Sequence, residues 1–335
     1  MFLAKGYLNI EKVILRIAID MHHIPVLCHE VIDFLKPKPN GVYIDGTVGL
    51  GGHSAAILEN SAPDGRVIGI DLDVDALAIA KDRLHSFEGR YALINGNFAE
   101  MDVLLERHSV HAVDGILLDL GVSSLQLDTP HRGFSFNHTG PLDMRMNVEP
   151  ELGSAAETAL TAMKVVNDST VDVLTDIFRR YGEERFAKQI AGRVDQARQQ
   201  GPIKTTAQLV EIVKQVVPRK ASKTHPATRV FQALRIHVNA ELENLVAGLD
   251  VAISLLKPRS CLCVITFHSL EDRIVKHRFQ TCARTCICPP KTPICICEHS
   301  PSLEIITKRP VLPSDTEIQQ NPRARSAKLR AARKL

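Results

Sequence analysis

A short apolar segment near the start of the chain runs into a glycine-rich loop, and the two together indicate the fold. The stretch reads Val42-Tyr43-Ile44-Asp45-Gly46-Thr47-Val48-Gly49-Leu50-Gly51-Gly52-His53-Ser54. The apolar residues predict a buried strand, and glycines allow a chain to turn at positive φ or to let a ligand approach the backbone. A strand, such a loop and then a helix are typical of α/β proteins that bind nucleotides.

Four short apolar segments alternate with amphipathic ones in the first part of the chain. They lie at 41–45, 66–71, 91–95 and 115–119. The alternation predicts βαβ units and a parallel sheet, and so an α/β fold. Three of the segments end in Asp45, Asp71 and Asp119. Because ligands of open α/β sheets bind at the carboxyl ends of the strands, these carboxylates are candidate site residues.

The alternation stops near residue 140, where a mostly helical region follows. Residues 155–217 are predicted to be helical, with a capping box at 205–208 ahead of an apolar helix face. Residues 241–256 form a long amphipathic helix, followed by a proline-containing turn and a buried strand at 261–267. This order predicts a helical domain inserted into the sheet domain.

The expected domain limits follow from this pattern. The sheet domain takes 21–140 and 229–335, is discontinuous and carries a basic C-terminal tail, and the helical domain takes 141–228. Residues 1–20 precede a second methionine and are expected to be an N-terminal extension from an upstream start codon, outside the fold.

The composition excludes several classes of protein. With 335 residues, 44% hydrophobic and 24% charged, the chain is neither disordered nor collagen-like. It holds no apolar run of the ~18 residues that a membrane span needs, so we expect a cytoplasmic protein without a membrane partner. From residue 308 onward eight residues are basic and two acidic, although the net charge of the chain is only +3. This tail predicts binding to a polyanion, with a solvated terminal arm as the alternative.

The glycine loop favours one class of ligand. Asp71 follows Gly52 by 19 residues, the position from which a carboxylate accepts hydrogen bonds from ribose hydroxyls. The third glycine of the nicotinamide motif is missing, and Asp45 would repel a pyrophosphate. S-adenosylmethionine has an adenosine, an ammonium group and no phosphate, so it fits both carboxylates. A nicotinamide oxidoreductase and a glycine turn without a ligand are the alternatives.

A series of motifs makes the chain resemble one family. They lie at 45–54, 117–124, 132–136, 140–146, 181–186, 225–239, 267–273 and 321–330. On these residues the chain resembles the bacterial small-subunit (16S) ribosomal RNA cytosine-N4 methyltransferases, the MraW/RsmH family. The resemblance extends over nearly everything from 23 to 330.

The resemblance implies a fold, a cofactor and a substrate. The fold is a Rossmann-like sheet of S-adenosylmethionine-dependent methyltransferases with an inserted helical domain for substrate recognition. The implied substrate is a cytosine of the P-site decoding region of 16S rRNA in the small ribosomal subunit, at about position 1402, taken out of the base stack. The implied cofactor contacts are Gly51, Gly52, His53, Asp71, Phe98, Asp119 and Gln126.

Methylation of an exocyclic amine needs a neighbouring group that makes the nitrogen lone pair more available for attack. The N4 lone pair of cytosine is delocalised into the ring, so an acceptor beside the amine would make it a better nucleophile. Asp119 is the candidate catalytic residue, with Ser123 or Ser124 as helpers. The alternative is that Asp119 contacts only the cofactor. Since the chemistry needs neither a metal nor a thiol, we assign no metal ligand to this site.

Several residues are candidates for contacts with RNA. Among them, the aromatic rings can stack on an extruded base or belong to the core, and the guanidinium groups can contact phosphates. His268 either orients the substrate or is structural, and residues 321–335 are expected to add nonspecific affinity. The other candidates are Arg132, Phe134, Phe136, Arg145, Arg229 and Arg235.

Four cysteines form two Cys-x-Cys pairs in an insert that is not general to the family. They are Cys286, Cys288, Cys295 and Cys297. Four thiolates suit tetrahedral zinc, but zinc ligands are usually separated by two to four residues rather than one. Zinc, reduced thiols and a redox loop therefore all stay open.

The sequence leaves two matters open beyond the leading hypothesis of an rRNA methyltransferase. One is a nonenzymatic ribosome-assembly factor that keeps the fold without turnover, which the intact loop at 49–53 disfavours. The other is the oligomeric state, with a homodimer as one option.

Overall fold

A computed structural model describes residues 24–147, 159–218, 225–289 and 294–335. The described residues up to Gly121 and from Leu242 onward form one compact unit, and those from Val122 to Glu241 form a second. Both units are built from helices and strands that follow one another in this order: α1 (Cys28–Leu35), β1 (Val42–Asp45), α2 (Gly52–Asn60), β2 (Arg66–Asp71), α3 (Val74–Arg83), β3 (Tyr91–Asn95), α4 (Met101–Glu106), β4 (Val113–Asp119), α5 (Ser124–Asp128), α6 (Ala162–Asp168), α7 (Val171–Arg180), α8 (Ala187–Arg198), α9 (Thr206–Val216), α10 (Thr228–Asn239), α11 (Glu241–Leu255), β5 (Leu256–Thr266), α12 (Ser269–Ala283), β6 (Leu303–Ile305), α13 (Asp315–Gln320) and β7 (Lys328–Lys334).

The first unit is organised by one sheet, whose order in the described residues is β3-β2-β1-β4-β5-β7-β6. Strands β1 to β5 pair in parallel, and β7 pairs antiparallel with both β5 and β6. The order reverses direction at β1, between β2 and β4, so the carboxyl ends of these three strands meet at a topological switch point. The predicted α/β, Rossmann-like fold is confirmed.

Both faces of this sheet are buried. Along β4, Ile116 and Leu118 join a core with α4, α11 and α12, whereas Leu117 joins a core with α1 and α2 on the other face. Side chains of a strand alternate between faces, so a strand buried on both sides reads as one continuous apolar run. That is why these segments could be predicted from the sequence.

The prediction of a proline-containing turn after the long helix is wrong. Helix α11 ends at Leu255 and β5 begins directly at Leu256, with Pro258 inside the strand. The pairing with β4 jumps from Leu256 to Cys261. Proline is tolerated at such an irregularity because no ladder hydrogen bond is needed there.

The basic C-terminal tail is not a solvated arm. Residues 328–334 form β7, which lies between β5 and β6 in the sheet. Its Leu329 and Ala331 are buried on one face, and Ala332 on the other. Arg330 is also buried, with its guanidinium 2.6 Å from the carboxylate of Asp272. Short alanines and a paired arginine let a strongly basic segment lie inside a sheet.

The second unit consists of α5 to α10. The predicted capping box is present at the start of α9, where the Thr205 hydroxyl accepts from the Gln208 amide and the Gln208 side chain accepts in return. Helix α7 buries Leu174, Ile177 and Phe178 on one side, as its amphipathic pattern requires. The limits 141–228 for the helical domain stay a prediction.

Residues 1–23 lie outside the described residues, and so does the expected N-terminal extension. Within the part of the chain that the structure describes, no helix is both long and apolar enough to cross a bilayer.

Candidate functional site

The glycine loop joins β1 to α2 at the switch point of the sheet. The Gly46 amide donates to the Leu117 carbonyl of β4, and the Val48 amide donates to the Ile70 carbonyl of β2. The loop is therefore fixed to both neighbouring strands. Gly49 and Gly51 have φ of +49° and +80°, a region that side chains rarely adopt.

Asp71 at the end of β2 is held by two backbone amides. Its Oδ2 accepts from the Gly49 amide at 2.8 Å and its Oδ1 from the Asp73 amide at 2.9 Å. Burial raises the pKa of Asp71 to about 6, and the two amides oppose that rise. Each carboxylate oxygen keeps a lone pair, so the group can accept two more hydrogen bonds in a fixed orientation.

Asp45 at the end of β1 is buried beneath the loop. The Ser54 hydroxyl donates to its Oδ2 at 2.7 Å, and the Thr47 amide donates to its Oδ1 at 3.3 Å. Burial raises the pKa of Asp45, and the charge of His53 opposes the rise. The sequence marks Asp45 as a strand-end carboxylate, although it is not one of the cofactor contacts that the family resemblance implies; its partners make it a support of the loop.

Asp119 at the end of β4 is next to His53. Its Oδ2 lies 3.6 Å from the His53 Nε2, a distance too long for a hydrogen bond but close enough for an ion pair. Burial alone would favour the neutral ring, yet the charges of Asp119 and Asp45 and contacts to Asp119 and Cys28 raise the pKa of His53 to about 10. His53 is therefore a buried cation at neutral pH.

The second oxygen of Asp119 has no partner. Asp119 Oδ1 and both ring nitrogens of His53 are buried and make no hydrogen bond among the described residues. Leaving a buried acceptor unsatisfied costs about 1–3 kcal/mol. Such a cost is typical of a position where a ligand supplies the missing donor.

Phe98, predicted to contact the cofactor, follows β3 in a short 3-10 helix. Its side chain packs partly buried against the core that contains α11. A Cβ on Gly248 of that helix would lie 2.4 Å from the ring, and a Cβ on Gly46 would lie 3.2 Å from the Phe98 Cβ. The residue thus lies beside the glycine loop, with one side against α11.

Gln126, the last predicted cofactor contact, lies in the second unit. Its Oε1 accepts from the Ser123 amide at 3.1 Å, and its own amide donates to the Ser123 hydroxyl at 3.2 Å. These two bonds form a capping box at the start of α5. The sequence motif therefore has a local structural reason, and a further role of Gln126 stays a prediction.

The residues predicted to contact RNA from 132 to 146 have protein partners. Arg132 is buried and donates to the carbonyls of Arg145 and Met146. Arg145 forms a two-pronged ion pair with Asp143, and Phe134 is buried. These contacts tie the segment together, so its motif is explained without RNA.

Further along the second unit the pattern is similar. Phe136 stacks on His225 with ring centroids 4.7 Å apart, and Arg235 pairs with Glu241 at 2.7 Å. Arg229 is the more open of the arginines here, and one of its nitrogens donates to the Glu183 carbonyl.

His268 in the first unit caps α12. Its Nδ1 accepts from the Glu271 amide at 3.4 Å, and its Nε2 lies 3.1 Å from the Glu271 carboxylate. This arrangement matches the structural role that the sequence left open beside substrate orientation.

Sequence reasoning missed Thr47 and Cys28. The Thr47 hydroxyl accepts from the Asp119 amide at 2.6 Å, so it joins the loop to the candidate catalytic strand. A small hydroxyl residue directly after Asp45-Gly46 was the available signal for Thr47. Cys28 contacts His53 from α1, and nothing in the sequence pattern indicates that approach.

Comparisons with known proteins show the family of this chain. The model of the MraW methylase family matches residues 20–335. The chain belongs to this family. It is 51% identical over 315 residues to a ribosomal RNA small subunit methyltransferase H from Syntrophotalea carbinolica, covering 93% of this chain and 98% of the relative.

A second relative and one solved structure are also similar to this chain. The protein of the same name from Geobacter sulfurreducens is 51% identical over 315 residues, covering 93% of this chain and 99% of the relative. A solved rRNA methylase from Streptococcus thermophilus aligns over 93% of this chain and 99% of its own at 11% identity, with a TM-score of 0.41.

Membership in a methylase family confirms S-adenosylmethionine as the methyl donor. The donor set of the site fits it. The side chains that meet at the loop are the carboxylates of Asp45, Asp71 and Asp119 and the imidazole of His53. Three carboxylates suit a ligand that is positively charged and carries ribose hydroxyls, and they do not suit a pyrophosphate.

Proposed function

We propose that this chain transfers a methyl group from S-adenosylmethionine to the N4 amine of a cytosine in 16S rRNA, at about position 1402. Its substrate is then the small ribosomal subunit, and its place the cytoplasm. The relatives carry the name ribosomal RNA small subunit methyltransferase H, which supports the rRNA substrate.

The observation that carries the proposal is that Asp119 Oδ1 has no hydrogen-bond partner among the described residues. It lies at the carboxyl end of β4, directly beside the glycine loop to which Thr47 ties this strand. An N4 amine donates hydrogen bonds, and a buried carboxylate oxygen without a partner accepts them strongly. Asp119 thus orients the amine and takes up the positive charge that develops on the nitrogen.

His53 supports Asp119 in this role. As a buried cation 3.6 Å from Asp119 Oδ2, it places an opposite charge beside that oxygen and leaves Oδ1 for the substrate. His53 is therefore a positioning residue, and its first effect is on Asp119 rather than on the amine.

The glycine loop and Asp71 hold the adenosyl group. Asp71 accepts from the ribose hydroxyls, and the backbone of Gly51 and Gly52 offers an approach without side chains. Phe98 borders the adenine. When bound, S-adenosylmethionine supplies a methyl group already activated by its positive sulfur, so positioning is the main task of the protein.

A labelled-methyl assay tests the proposal. Small subunits from cells that lack this methyltransferase are incubated with the protein and labelled S-adenosylmethionine, and the modified nucleotide is mapped by mass spectrometry. We expect one cytosine in the decoding region to gain a methyl group on N4. A methyl group on another atom or another nucleotide would contradict the substrate assignment, and no transfer at all would favour a nonenzymatic assembly factor.

The same assay with variants tests the catalytic residue. Asp119→Ala should lower turnover by ~10²-fold or more, the scale of a lost electrostatic contact, while the protein stays folded by circular dichroism. Asp102→Ala removes an exposed carboxylate of α4 and serves as the control. Near wild-type turnover of Asp119→Ala would show that Asp119 is not catalytic.

A further inference from the structure

The four clustered cysteines lie outside the site described above. They fall in the segment between α12 and β6, at the edge of the sheet rather than at its switch point. Their Sγ atoms all lie within 4.8 Å of one another. The cluster is the quartet Cys286, Cys288, Cys295 and Cys297.

The sulfur separations match a tetrahedral metal site. Cys295 Sγ lies 3.5 Å from both Cys286 Sγ and Cys297 Sγ and 4.0 Å from Cys288 Sγ. Cys286 and Cys297 are 3.8 Å apart. Thiolates at about 2.3 Å from a zinc ion stand about 3.8 Å from one another in a regular tetrahedron. A disulfide would need about 2.0 Å.

The backbone of the loop is arranged around the sulfurs. The Ile287 amide points to Cys297 Sγ at 3.5 Å, and the Cys288 amide to Cys286 Sγ at 3.4 Å. Amides that donate to sulfur stabilise its negative form, as the outer contacts of metal-bound thiolates do. The one-residue spacing within each pair is unusual for zinc. In this loop it goes with one amide that faces a sulfur of the other pair, Ile287 to Cys297, and one that faces a sulfur of the same pair, Cys288 to Cys286.

Among the described residues, contacts at the base of the loop connect it to the end of α12. Its base is closed by the Ser302 amide, which donates to the Cys282 carbonyl at 2.8 Å. Ile294 and Ile296 are 77% and 80% exposed, so these apolar side chains make no core for the loop. The described residues of this segment, 284–289 and 294–302, lie outside helices and strands, and a metal ion supplies order where a core is absent.

We propose that the quartet binds one zinc ion as a structural site. Four thiolates leave no open position for water or substrate, which marks a structural rather than a catalytic ion. Sulfur ligands in a tetrahedron select zinc among the common divalent ions. Sulfurs that all lie within 4.8 Å of one another enclose a single ion. The site orders the loop and takes no part in methyl transfer.

The experiment uses the full chain, produced in zinc-supplemented medium and purified without chelator. Elemental analysis of the protein should find one zinc per chain. The double variant Cys286→Ser/Cys295→Ser should contain none and should still bind S-adenosylhomocysteine by calorimetry, which shows that it is folded. Ile296→Ser, in the same loop, is the matched control and should keep its zinc.

A second measurement covers the case in which the double variant does not fold. Wild-type protein titrated with a mercurial thiol reagent, in the presence of a colorimetric zinc indicator, should release its zinc as four thiols react. Trypsin should then cut within 284–301, where the zinc-loaded protein resists.

Three results would overturn the proposal. They are wild-type protein with substoichiometric zinc and four freely reactive thiols, a quartet that contains iron or disulfides instead, and a double variant that keeps its zinc.

Discussion

At the scale of single residues, the ionisation of Asp71 gives the cofactor site a pH dependence. Its pKa of about 6 lies above the usual value because the group is buried, so the carboxylate is ionised at pH 7 and takes up a proton as the pH falls through 6. Protonation weakens its hydrogen bonds to the Gly49 and Asp73 amides and to ribose hydroxyls.

We therefore predict that affinity for S-adenosylhomocysteine falls below pH 6, by up to about tenfold per pH unit. Calorimetric titrations from pH 5 to pH 8 measure this. Asp71→Asn, which cannot ionise, should bind more weakly at pH 8 and show a flat profile. An equally flat profile in the wild type would remove the assigned role of Asp71.

His53 contributes stability that depends on pH in the opposite sense. Its pKa of about 10 in the folded protein exceeds that of an unfolded histidine, about 6.5. Its contribution is thus fully present below pH 6.5 and is lost as the pH rises towards 10.

We predict that the free energy of unfolding of the wild type falls between pH 7 and pH 9, by roughly 1 kcal/mol per pH unit more than that of His53→Gln. Urea unfolding at both pH values measures it. His29→Gln, an exposed histidine of α1, should behave like the wild type. Parallel losses in wild type and His53→Gln would mean that His53 is neutral in the folded state.

At the scale of elements, two glycines with similar positive φ allow the cost of backbone strain to be measured apart from the loss of ligand binding. Gly51 has φ of +80°, and a Cβ there would lie 3.3 Å from Ala80 of α3. Gly89 has φ of +83° with nothing within 4 Å of a Cβ, so it carries the same backbone cost without the site.

We predict that Gly51→Ala and Gly89→Ala each lose about 1–2 kcal/mol of stability, and that only Gly51→Ala loses affinity for S-adenosylhomocysteine. Thermal unfolding and calorimetry measure the two effects. Equal affinities of the two variants would mean that the loop does not form the cofactor site.

Two arginines of strand β7 allow a test of whether the basic tail contributes to the stability of the fold. Arg330 is buried and pairs with Asp272, whereas Arg333 forms an exposed pair with Glu304. Removing one partner of a buried pair leaves a charge without compensation.

Arg330→Met should therefore cost about 3 kcal/mol in urea unfolding, and Arg333→Met less than about 1 kcal/mol. Similar small losses for both would indicate a loosely attached tail.

The elements also show where prediction from sequence succeeds. Strands β2 and β3 were predicted with the observed limits because each is a short apolar run between polar segments, buried along most of β2 and half-buried along most of β3. Strand β7 was missed because its buried residues are mainly alanines between charges, which read as a polar tail. Pro258 was interpreted as part of a turn, because the sequence does not distinguish a proline in a turn from one at an irregularity within a strand.

Site residues divide in the same way. Asp45, Asp71 and Asp119 were found because a carboxylate after a buried strand has a simple topological meaning. Thr47 and Cys28 contribute through contacts between distant elements, and such contacts do not follow from spacing. Arg132 donates to backbone carbonyls, and its contact with RNA stays a prediction, because a motif does not distinguish a guanidinium that binds RNA from one that holds the backbone.

At the scale of the whole molecule, the chain combines a sheet unit with a helical unit formed by Val122–Glu241. The motifs of the helical unit are largely explained by its internal contacts, such as those of Asn239 with Met144 and Met146. In the sheet unit, the loop motif at 45–54 and the end of β4 lie at the switch point instead. The chemistry is therefore assigned to the sheet unit, and the helical unit is proposed to select the RNA.

One titration tests whether an adenosyl pocket lies between the ends of β1, β2 and β4. Full-length protein is titrated with S-adenosylhomocysteine in a calorimeter at pH 7.5, with Asp71→Ala and the control Asp102→Ala beside it. We predict one molecule bound per chain for the wild type and the control, and an affinity at least tenfold lower for Asp71→Ala. Folded wild-type protein that binds nothing, or an Asp71→Ala variant that binds as well as the wild type, would contradict the account.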